Sequence, residues 1–347
     1  MRRILLVLFL VVFFGAVVIA WIVLGSGTGF SEHRKALYIG SNAATREAVL
    51  DSLRARKIIR NETAFLFLAN RLGYWDKIRP GKYEFSKGTS LLSIVRALRN
   101  GSQTPVKLSF SKLRTREDLA RLVGSHFECD SAAMMRFLSS PDSLRSFDVT
   151  PEQAMTLVFP DTYTYNWNTT PRRIYRKLAD VAYGFWSSDH TARAKALGLS
   201  KGEAYTLASI VEEETNASKE KGTIASVYLN RLHKGMALGA DPTIKFALHD
   251  FTLKRIYEKH LAVVSPYNTY RNKGLPPGPI CTPSRKTLEA VLNAPQTDFL
   301  FFVASPSFDG THEFSATYPE HLAKARAYQQ ELDRQQAIRD QSSNPSR

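Results

Sequence analysis

The pattern of hydrophobic and polar positions is clearest between Ser200 and Thr215, which reads SKGEAYTLASIVEEET. Ser200 followed by Glu203 is a capping box, in which a hydroxyl and a carboxylate satisfy free backbone N–H groups at the start of a helix. Four apolar residues then recur at the spacing of one helix face: Ala204, Leu207, Ala208 and Val211. The stretch therefore predicts an amphipathic helix with one buried stripe.

Three glutamates end this predicted helix and face different directions. At about 100° per residue, Glu213 points away from the stripe and into water, whereas Glu212 and Glu214 lie at its two edges. The negative end of the helix dipole disfavours a carboxylate there, and partial burial acts in the same direction. Either edge glutamate is therefore a candidate for the raised pKa that a general acid needs near neutral pH. A solvated acidic helix end is the alternative.

An unbroken apolar run from Ile4 to Leu24 follows two arginines at the start of the chain. About 20 residues cross a bilayer as a helix, and a basic flank stays in the cytoplasm. A cleaved signal peptide is the alternative, but the run is longer than the about 7–15 apolar residues of such a peptide. We expect residues 1–25 to be a single-pass anchor in the cytoplasmic membrane, residues 26–35 a linker, and the remainder extracytoplasmic.

Helix and strand patterns after the linker predict an α+β fold in two parts. Residues 36–110 combine helical patterns with the strand-like segments Pro80–Phe85 and Val106–Phe110, and they hold no cluster of catalytic residue types. Residues 111–335 form a mixed α+β unit around the glutamate-bearing helix. We expect residues 336–347 to be a disordered tail because they are polar.

A loop rich in proline and glycine lies in the second part and reads SPYNTYRNKGLPPGPICTP (Ser265–Pro283). These residues exclude regular structure over most of its length, and a long structureless loop in a compact domain is usually functional. Tyr267, Asn268 and Tyr270 are hydrogen-bonding side chains on this stiff frame, which makes them candidate ligand contacts. Upstream, Asp241-Pro242-Thr243 has the composition of a turn.

Metal and cofactor chemistry has little support in the sequence. Phe299–Ala304 predicts a buried apolar strand, and Asp309–Ser315 predicts a turn entering a strand that carries His312. His312 and His321 could chelate, but a lone histidine is more often a structural hydrogen bonder. Neither HExxH nor a glycine-rich phosphate loop occurs, and Cys129 and Cys281 have no metal or disulfide-framework spacing. We expect no metal and no cofactor.

The chain has 47 basic against 32 acidic side chains and a formal net charge of +15. This excess favours an anionic partner such as a membrane surface or an acidic wall polymer. No zinc-finger spacing, RNP-type motif or leucine zipper accompanies it, so we expect no nucleic-acid partner. One GxSxG match, Gly198–Gly202, centres on Ser200. A nucleophile elbow needs a preceding strand, and ARAKAL before it is helical, so Ser200 is better explained as the helix cap.

Five motifs in order resemble the endolytic murein transglycosylases of the YceG-like (MltG) family. They are LASIVEEET (Leu207–Thr215), ADPT (Ala240–Thr243), SPYNTY (Ser265–Tyr270), GLPPGPI (Gly274–Ile280) and DGTHEFS (Asp309–Ser315). FPDTY (Phe159–Tyr163) and the GKYEF…LRNG pattern (Gly81–Gly101) fit as well. The resemblance covers nearly the whole chain, including the anchor, and several long motifs make it more specific than any one glutamate.

The resemblance implies a lytic transglycosylase that cleaves the MurNAc–GlcNAc β-1,4 bond of nascent peptidoglycan. Glu214 would protonate the leaving oxygen and then, as a carboxylate, take the proton of the sugar's C6 hydroxyl, which leaves a 1,6-anhydro end. Peptidoglycan strands are the implied partner, with cell-wall synthases as further candidates. Residues 36–110 resemble the family's LysM-like subdomain, which would bind glycan.

Roles for the other candidate residues follow from the same resemblance. Tyr267, Asn268 and Tyr270 would position the sugar or its N-acetyl group. Asp241 would brace the groove rather than act as a nucleophile. Glu212 and His312 complete the set of candidate substrate-binding residues. Two alternatives remain: a muramidase in which water replaces the C6 hydroxyl, and a non-catalytic wall-binding scaffold at the membrane.

Overall fold

The structure is a computed structural model and describes residues 2–343. The helices are α1 (Arg2–Leu24), α2 (Arg46–Ala55), α3 (Glu62–Arg71), α4 (Leu91–Asn100), α5 (Arg116–His126), α6 (Ser131–Ser139), α7 (Pro141–Leu144), α8 (Pro171–Phe185), α9 (Ser188–Ala196), α10 (Lys201–Glu214), α11 (Lys221–His233), α12 (Asp241–Ala247), α13 (Glu258–Leu261), α14 (Arg285–Leu292) and α15 (Tyr318–Ser343). The strands are β1 (Arg34–Ile39), β2 (Gly81–Ser86), β3 (Val106–Phe110), β4 (Asp161–Tyr165), β5 (Phe301–Ala304) and β6 (His312–Ser315). This mixture confirms the predicted α+β class.

The strands pair two by two rather than forming one large sheet. β1 and β2 are antiparallel, with Arg34 opposite Ser86 and Ile39 opposite Gly81. β5 and β6 are antiparallel as well, with Phe301 opposite Ser315. β3 pairs with β4. Because each pair is small, most of the buried core is supplied by helices.

The chain divides into two compact units. The first runs to Leu108 and also includes Val123–Asp130 and Thr164–Pro171, and the second comprises the other described residues. The small unit predicted for residues 36–110 did not include those two later segments.

The first unit packs α2, α3 and α4 around the β1–β2 pair. Its core includes Leu37, Phe65, Tyr74 and Leu98, each fully buried. α4 is capped at both ends: Ser90 accepts a hydrogen bond from the backbone N–H of Ser93, and Gly101 ends the helix at φ +69°. α1 is the one helix among the described residues that is long and apolar enough to cross a membrane, judged by length and composition.

The second unit is built around α10. The capping box of Ser200 and Glu203 is confirmed. The prediction of a single buried stripe is wrong, because all eight residues from Ala204 to Val211 are buried. α11, α12 and α14 pack against this helix, so its other faces are covered as well.

Three further predictions are corrected by the second unit. Asp241–Ala247 is a short helix and not a turn, since Pro242 lies in the first helical turn, where its missing N–H costs nothing. β5 is half-buried along its length rather than fully buried. α15 reaches Ser343, so residues 336–343 are helical; residues 344–347 lie outside the described part.

Candidate active site

Glu212 belongs to a polar cluster between α10, α11 and α14. It accepts hydrogen bonds from the Lys221 ammonium at 2.9 Å, from the Ser284 hydroxyl at 3.2 Å and from the Thr287 hydroxyl. Burial would raise the pKa of Glu212, but the hydrogen bonds from Thr287 and Lys221 hold it below its ordinary value. Glu212 is therefore a carboxylate that fastens three helices together, and this position corrects its predicted contact with substrate.

Glu213 is not in water, contrary to the prediction from the helical wheel. Only 16% of its side chain is exposed, and it pairs with Lys112 at 2.8 Å and with Arg114 at 3.1 Å. Burial alone would raise the pKa of Glu213, but these two cations hold it below its ordinary value. The wheel failed because residues that follow β3 cover the face of α10 that was expected to be open.

Glu214 ends α10 and is held by a single hydrogen bond from α11. The hydroxyl of Tyr228 donates to Oε1 at 2.5 Å. Within residues 2–343, Oε2 accepts no hydrogen bond, so one carboxyl oxygen is oriented and the other has no protein partner. Tyr228 itself is buried.

Burial raises the pKa of Glu214 to about 7. The nearby charge of Asp241 acts in the same direction, whereas the hydrogen bond from Tyr228 and the charges of Arg231 and Lys245 oppose it. Of the three glutamates at the end of α10, this is the one whose pKa is raised. A carboxyl group that titrates near pH 7 can serve as both acid and base under physiological conditions.

The proline-rich loop reaches the same region through Tyr270. The hydroxyl of Tyr270 donates to Asp241 Oδ1 at 2.5 Å, and the ring is 38% exposed. Two backbone contacts fix this turn: the N–H of Gly239 donates to the carbonyl of Thr269 at 3.0 Å, and that of Ala240 donates to its hydroxyl at 3.0 Å. Tyr270 and Asp241 thus form one wall beside Glu214, whose charge contributes to the raised pKa of Tyr270.

Ser209 ties the far end of the loop to α10. Its hydroxyl accepts a hydrogen bond from the backbone N–H of Ile280 at 3.0 Å, and its carbonyl accepts one from the thiol of Cys281 at 3.4 Å. The loop between Ser265 and Pro283 has no regular structure, as predicted. Its two attachments hold it as a fixed wall of the site.

Asn268 does not present its side chain to a ligand, which corrects the expectation from the sequence. It is fully buried, and its amide donates to the carbonyls of Leu261 at 2.9 Å and Val263 at 2.8 Å. Its oxygen accepts from the backbone N–H of Tyr270 at 3.0 Å. Asn268 therefore shapes the turn that presents Tyr270.

Tyr267 and His312 lie apart from the Glu214–Asp241–Tyr270 group. Tyr267 packs on Phe246, with ring centroids 4.6 Å apart, and lines a neighbouring cavity. His312 contacts Glu220 through Nδ1 at 2.9 Å and stacks edge-on against Phe302. Phe302 in turn contacts the ring of Tyr228. His312 thus reaches Glu214 only through two intervening rings.

Metal-binding geometry is not found in the described part of the chain. No group of three or more His, Cys, Asp or Glu side chains within residues 2–343 could hold an ion. Cys129 and Cys281 are both free thiols, the second of them buried.

Comparison with known proteins decides the family. The sequence model of the YceG-like family matches residues 37–327. The chain belongs to the YceG-like family. The matched span includes Glu214, Asp241 and Tyr270 and covers parts of both compact units.

Curated relatives of this YceG-like protein carry one name. The endolytic murein transglycosylase of Bacillus subtilis (strain 168) is 27% identical over 296 residues, a match that covers 81% of each chain. The endolytic murein transglycosylase of Streptococcus pneumoniae serotype 2 (strain D39) is also 27% identical, over 76% of this chain. This chain spans about half, 53%, of the length of that pneumococcal protein.

A solved structure has the same fold. The crystal structure of a YceG-like protein from Listeria monocytogenes aligns with a TM-score of 0.56 and 26% sequence identity. The alignment covers 84% of this chain and 99% of that one.

Sequence reasoning missed three residues of this YceG-like site. Tyr228, Arg231 and Lys245 all act on the charge of Glu214. A signal existed for Tyr228, since a tyrosine in the apolar stretch SVYL of α11 needs a partner for its hydroxyl. The identity of that partner depends on how α10 and α11 cross. The spacing of residues within one helix does not predict that crossing.

Proposed function

We propose that this protein is a lytic transglycosylase that cleaves the MurNAc–GlcNAc β-1,4 bond inside nascent peptidoglycan strands and leaves a 1,6-anhydro end. Membership of the YceG-like family and the name of the curated relatives support the reaction class. One observation supports Glu214 as the residue responsible. Its pKa is raised, and one of its carboxyl oxygens is oriented by Tyr228 while the other is unengaged.

The proposed reaction uses one carboxyl group twice. Protonated Glu214 gives its proton to the glycosidic oxygen as the bond to the sugar's anomeric carbon breaks. The resulting Glu214 carboxylate then removes the proton from the C6 hydroxyl, whose oxygen closes onto the anomeric carbon. Tyr228 holds Oε1 throughout, so that Oε2 makes both transfers. The proton returns to Glu214, and no water is consumed.

A muramidase is the second candidate, because another carboxylate lies near the acid. The charge of Asp241 raises the pKa of Glu214, and ordinary glycosidases use two carboxyl groups. Asp241, however, is engaged by the hydroxyl of Tyr270 at 2.5 Å. We assign it to the wall of the groove and to stabilising positive charge at the anomeric carbon.

The location of the protein is proposed from the length and composition of α1, and the role of its accessory part from the resemblance. α1 suits a single-pass anchor in the cytoplasmic (inner) membrane, with both compact units on the extracytoplasmic side, where the wall is built. The helices and the β1–β2 pair of the first unit are assigned, by resemblance, to a LysM-like glycan-binding role. Cell-wall synthases stay predicted partners.

Purified full-length protein in detergent, incubated with isolated glycan strands, tests the assignment. Replacing Glu214 with Gln keeps the shape of the side chain and removes the transferable proton. We expect the rate of strand cleavage to fall by about 10²-fold or more. Glu203→Gln, in the first turn of the same helix, is the matched control, because Gln also completes a capping box.

Undiminished cleavage by Glu214→Gln would reject Glu214 as the acid. Binding without cleavage by the wild-type protein would instead favour the scaffold. An equal loss in Glu203→Gln would show that the damage is to the helix and not to the chemistry.

A further inference from the structure

A cavity in the second unit lies beside the Glu214 site and has a different chemical character. Its volume is about 360 Å³, within the usual range for ligand pockets. Its walls include four charged side chains, those of Arg114, Arg116, Glu117 and Glu152. Phe246 and Tyr267 supply an apolar side. Nothing in the proposed bond cleavage uses this cavity.

Two short connections place the cavity next to the acid. Arg114 lines it and also pairs with Glu213, the residue before Glu214. On the other side, α12 carries Asp241 at its first residue and Phe246 near its end. At 1.5 Å per residue, the cavity end of α12 is about 8 Å from the Asp241 end. That distance is comparable to the size of one sugar unit with its substituent.

The charges of the cavity indicate what it would bind. The sugars of a peptide-bearing glycan strand are uncharged, because the lactyl carboxyl of each MurNAc is joined to its peptide. The peptide stem carries carboxylates and an amino group. A cavity wall with both arginines and glutamates complements the carboxylates and the amino group of the stem. It offers little binding energy to a neutral sugar ring. The Nε of Arg114 is itself buried and has no acceptor among residues 2–343, which leaves one donor of this cavity-lining guanidinium unsatisfied.

We propose that this cavity is a subsite for the peptide stem of the MurNAc next to the cleaved bond. The inference rests on the proposed function and gives it a substrate preference: strands that keep their peptides are cut faster than strands without them. Arg116 holds a stem carboxylate, Glu152 meets the amino group, and Tyr267 with Phe246 packs on the peptide chain.

The test compares two substrates with one enzyme. Full-length protein in detergent is given intact glycan strands and the same strands treated with an N-acetylmuramoyl-L-alanine amidase, which leaves a lactyl carboxylate on each MurNAc but removes the carboxylates and amino group of the stem. We expect wild type to have a kcat/KM about tenfold higher on intact strands, the scale of one charge-assisted hydrogen bond. Arg116→Gln should bring this ratio close to one, and Arg116→Glu should bring it below one.

The matched control is Arg121→Gln, on the same helix. Arg121 is exposed, and among the described residues it pairs with Asp118 alone, at 3.3 Å. It is not part of the cavity wall, so its variant should keep the wild-type ratio. Because the readout is a ratio, a variant that is partly misfolded lowers both rates and leaves the ratio unchanged.

Two results would overturn the subsite. Equal rates of wild type on both substrates, or a ratio that Arg116→Gln and Arg116→Glu do not change, would remove it while leaving the transglycosylase intact. A wild-type protein that cuts neither substrate would overturn the proposed function together with the subsite.

Discussion

A carboxyl group that gives and then retakes a proton works best when its pKa lies near the working pH. Glu214 meets this condition because burial outweighs the hydrogen bond from Tyr228. Glu213 and Glu212, one and two residues away, are equally acidic by type, but Glu213 is paired with Lys112 and Arg114 and Glu212 with Lys221. At the scale of the residue, partners and not position along the helix separate the proposed acid from its neighbours.

Replacing Tyr228 with Phe removes the hydrogen bond that favours the ionised form of Glu214. The pKa of Glu214 should then rise above about 7, so the carboxyl stays protonated to higher pH. In a profile of kcat/KM against pH, we expect the alkaline limb to move up by on the order of one pH unit, with a lower maximum because Oε1 is no longer oriented. A lower maximum with an unmoved limb would mean that Tyr228 is purely structural.

The raised pKa of Glu214 also predicts how stability depends on pH. Its folded value is about 7 against an ordinary 4.5, so between these values the folded state binds more protons than the unfolded state. Stability contributed by this group is therefore present at low pH and is lost as pH rises through about 7. Glu214→Gln has no carboxyl group at this position, so it does not lose this stability as pH rises.

We expect Glu214→Gln to be more stable than wild type above about pH 8, by about 3 kcal/mol, and close to wild type near pH 4.5. Thermal unfolding of both proteins across this range measures the difference. A constant difference at every pH would show that the carboxyl is not the cause.

At the scale of the element, the sequence predicted the features that depend on residues near one another in the chain. Caps, the helix of the three glutamates and the irregular loop follow from neighbouring residues, and the structure has them. Burial of Glu213, the helix that begins at Asp241 and the buried amide of Asn268 depend on which other segments pack there. The helical wheel left Glu212 and Glu214 as candidates for the acid. The hydrogen bond from Tyr228 of α11 to Glu214 distinguishes them.

The loop is held close to its neighbours at Gly278. A Cβ at this position would lie 2.0 Å from the carbonyl oxygen of Glu152, so the backbone of the loop must move to admit one. We expect Gly278→Ala to destabilise the protein by about 1–3 kcal/mol and to lower cleavage by shifting Tyr270. Thermal unfolding and the strand-cleavage rate measure the two effects.

Gly202→Ala is the control for Gly278→Ala. Gly202 lies in α10, nothing is within 4 Å of its added Cβ, and Ala favours helix, so this variant should be neutral or slightly stabilising. An unfolding temperature of Gly278→Ala equal to that of wild type would mean that the loop is not anchored at Gly278.

At the scale of the whole molecule, α1 and the net charge of +15 offer two ways to reach a membrane. A spanning helix resists salt, whereas surface charge is screened within about 3 Å in 1 M salt. We expect the full chain to stay in the membrane fraction after a wash in 1 M salt and a chain lacking residues 2–24 to be released. Release of the full chain by salt alone would show electrostatic attachment.

The most direct test of the central claim is the mass of the new end made by the full-length protein on purified glycan strands. If the Glu214 carboxylate takes the proton of the C6 hydroxyl as the ring closes, every new MurNAc end is lighter by one water than a reducing end. This product should form about 10²-fold or more slowly with Glu214→Gln. Reducing MurNAc ends made by wild type, or anhydro ends made by Glu214→Gln at the wild-type rate, would contradict the account.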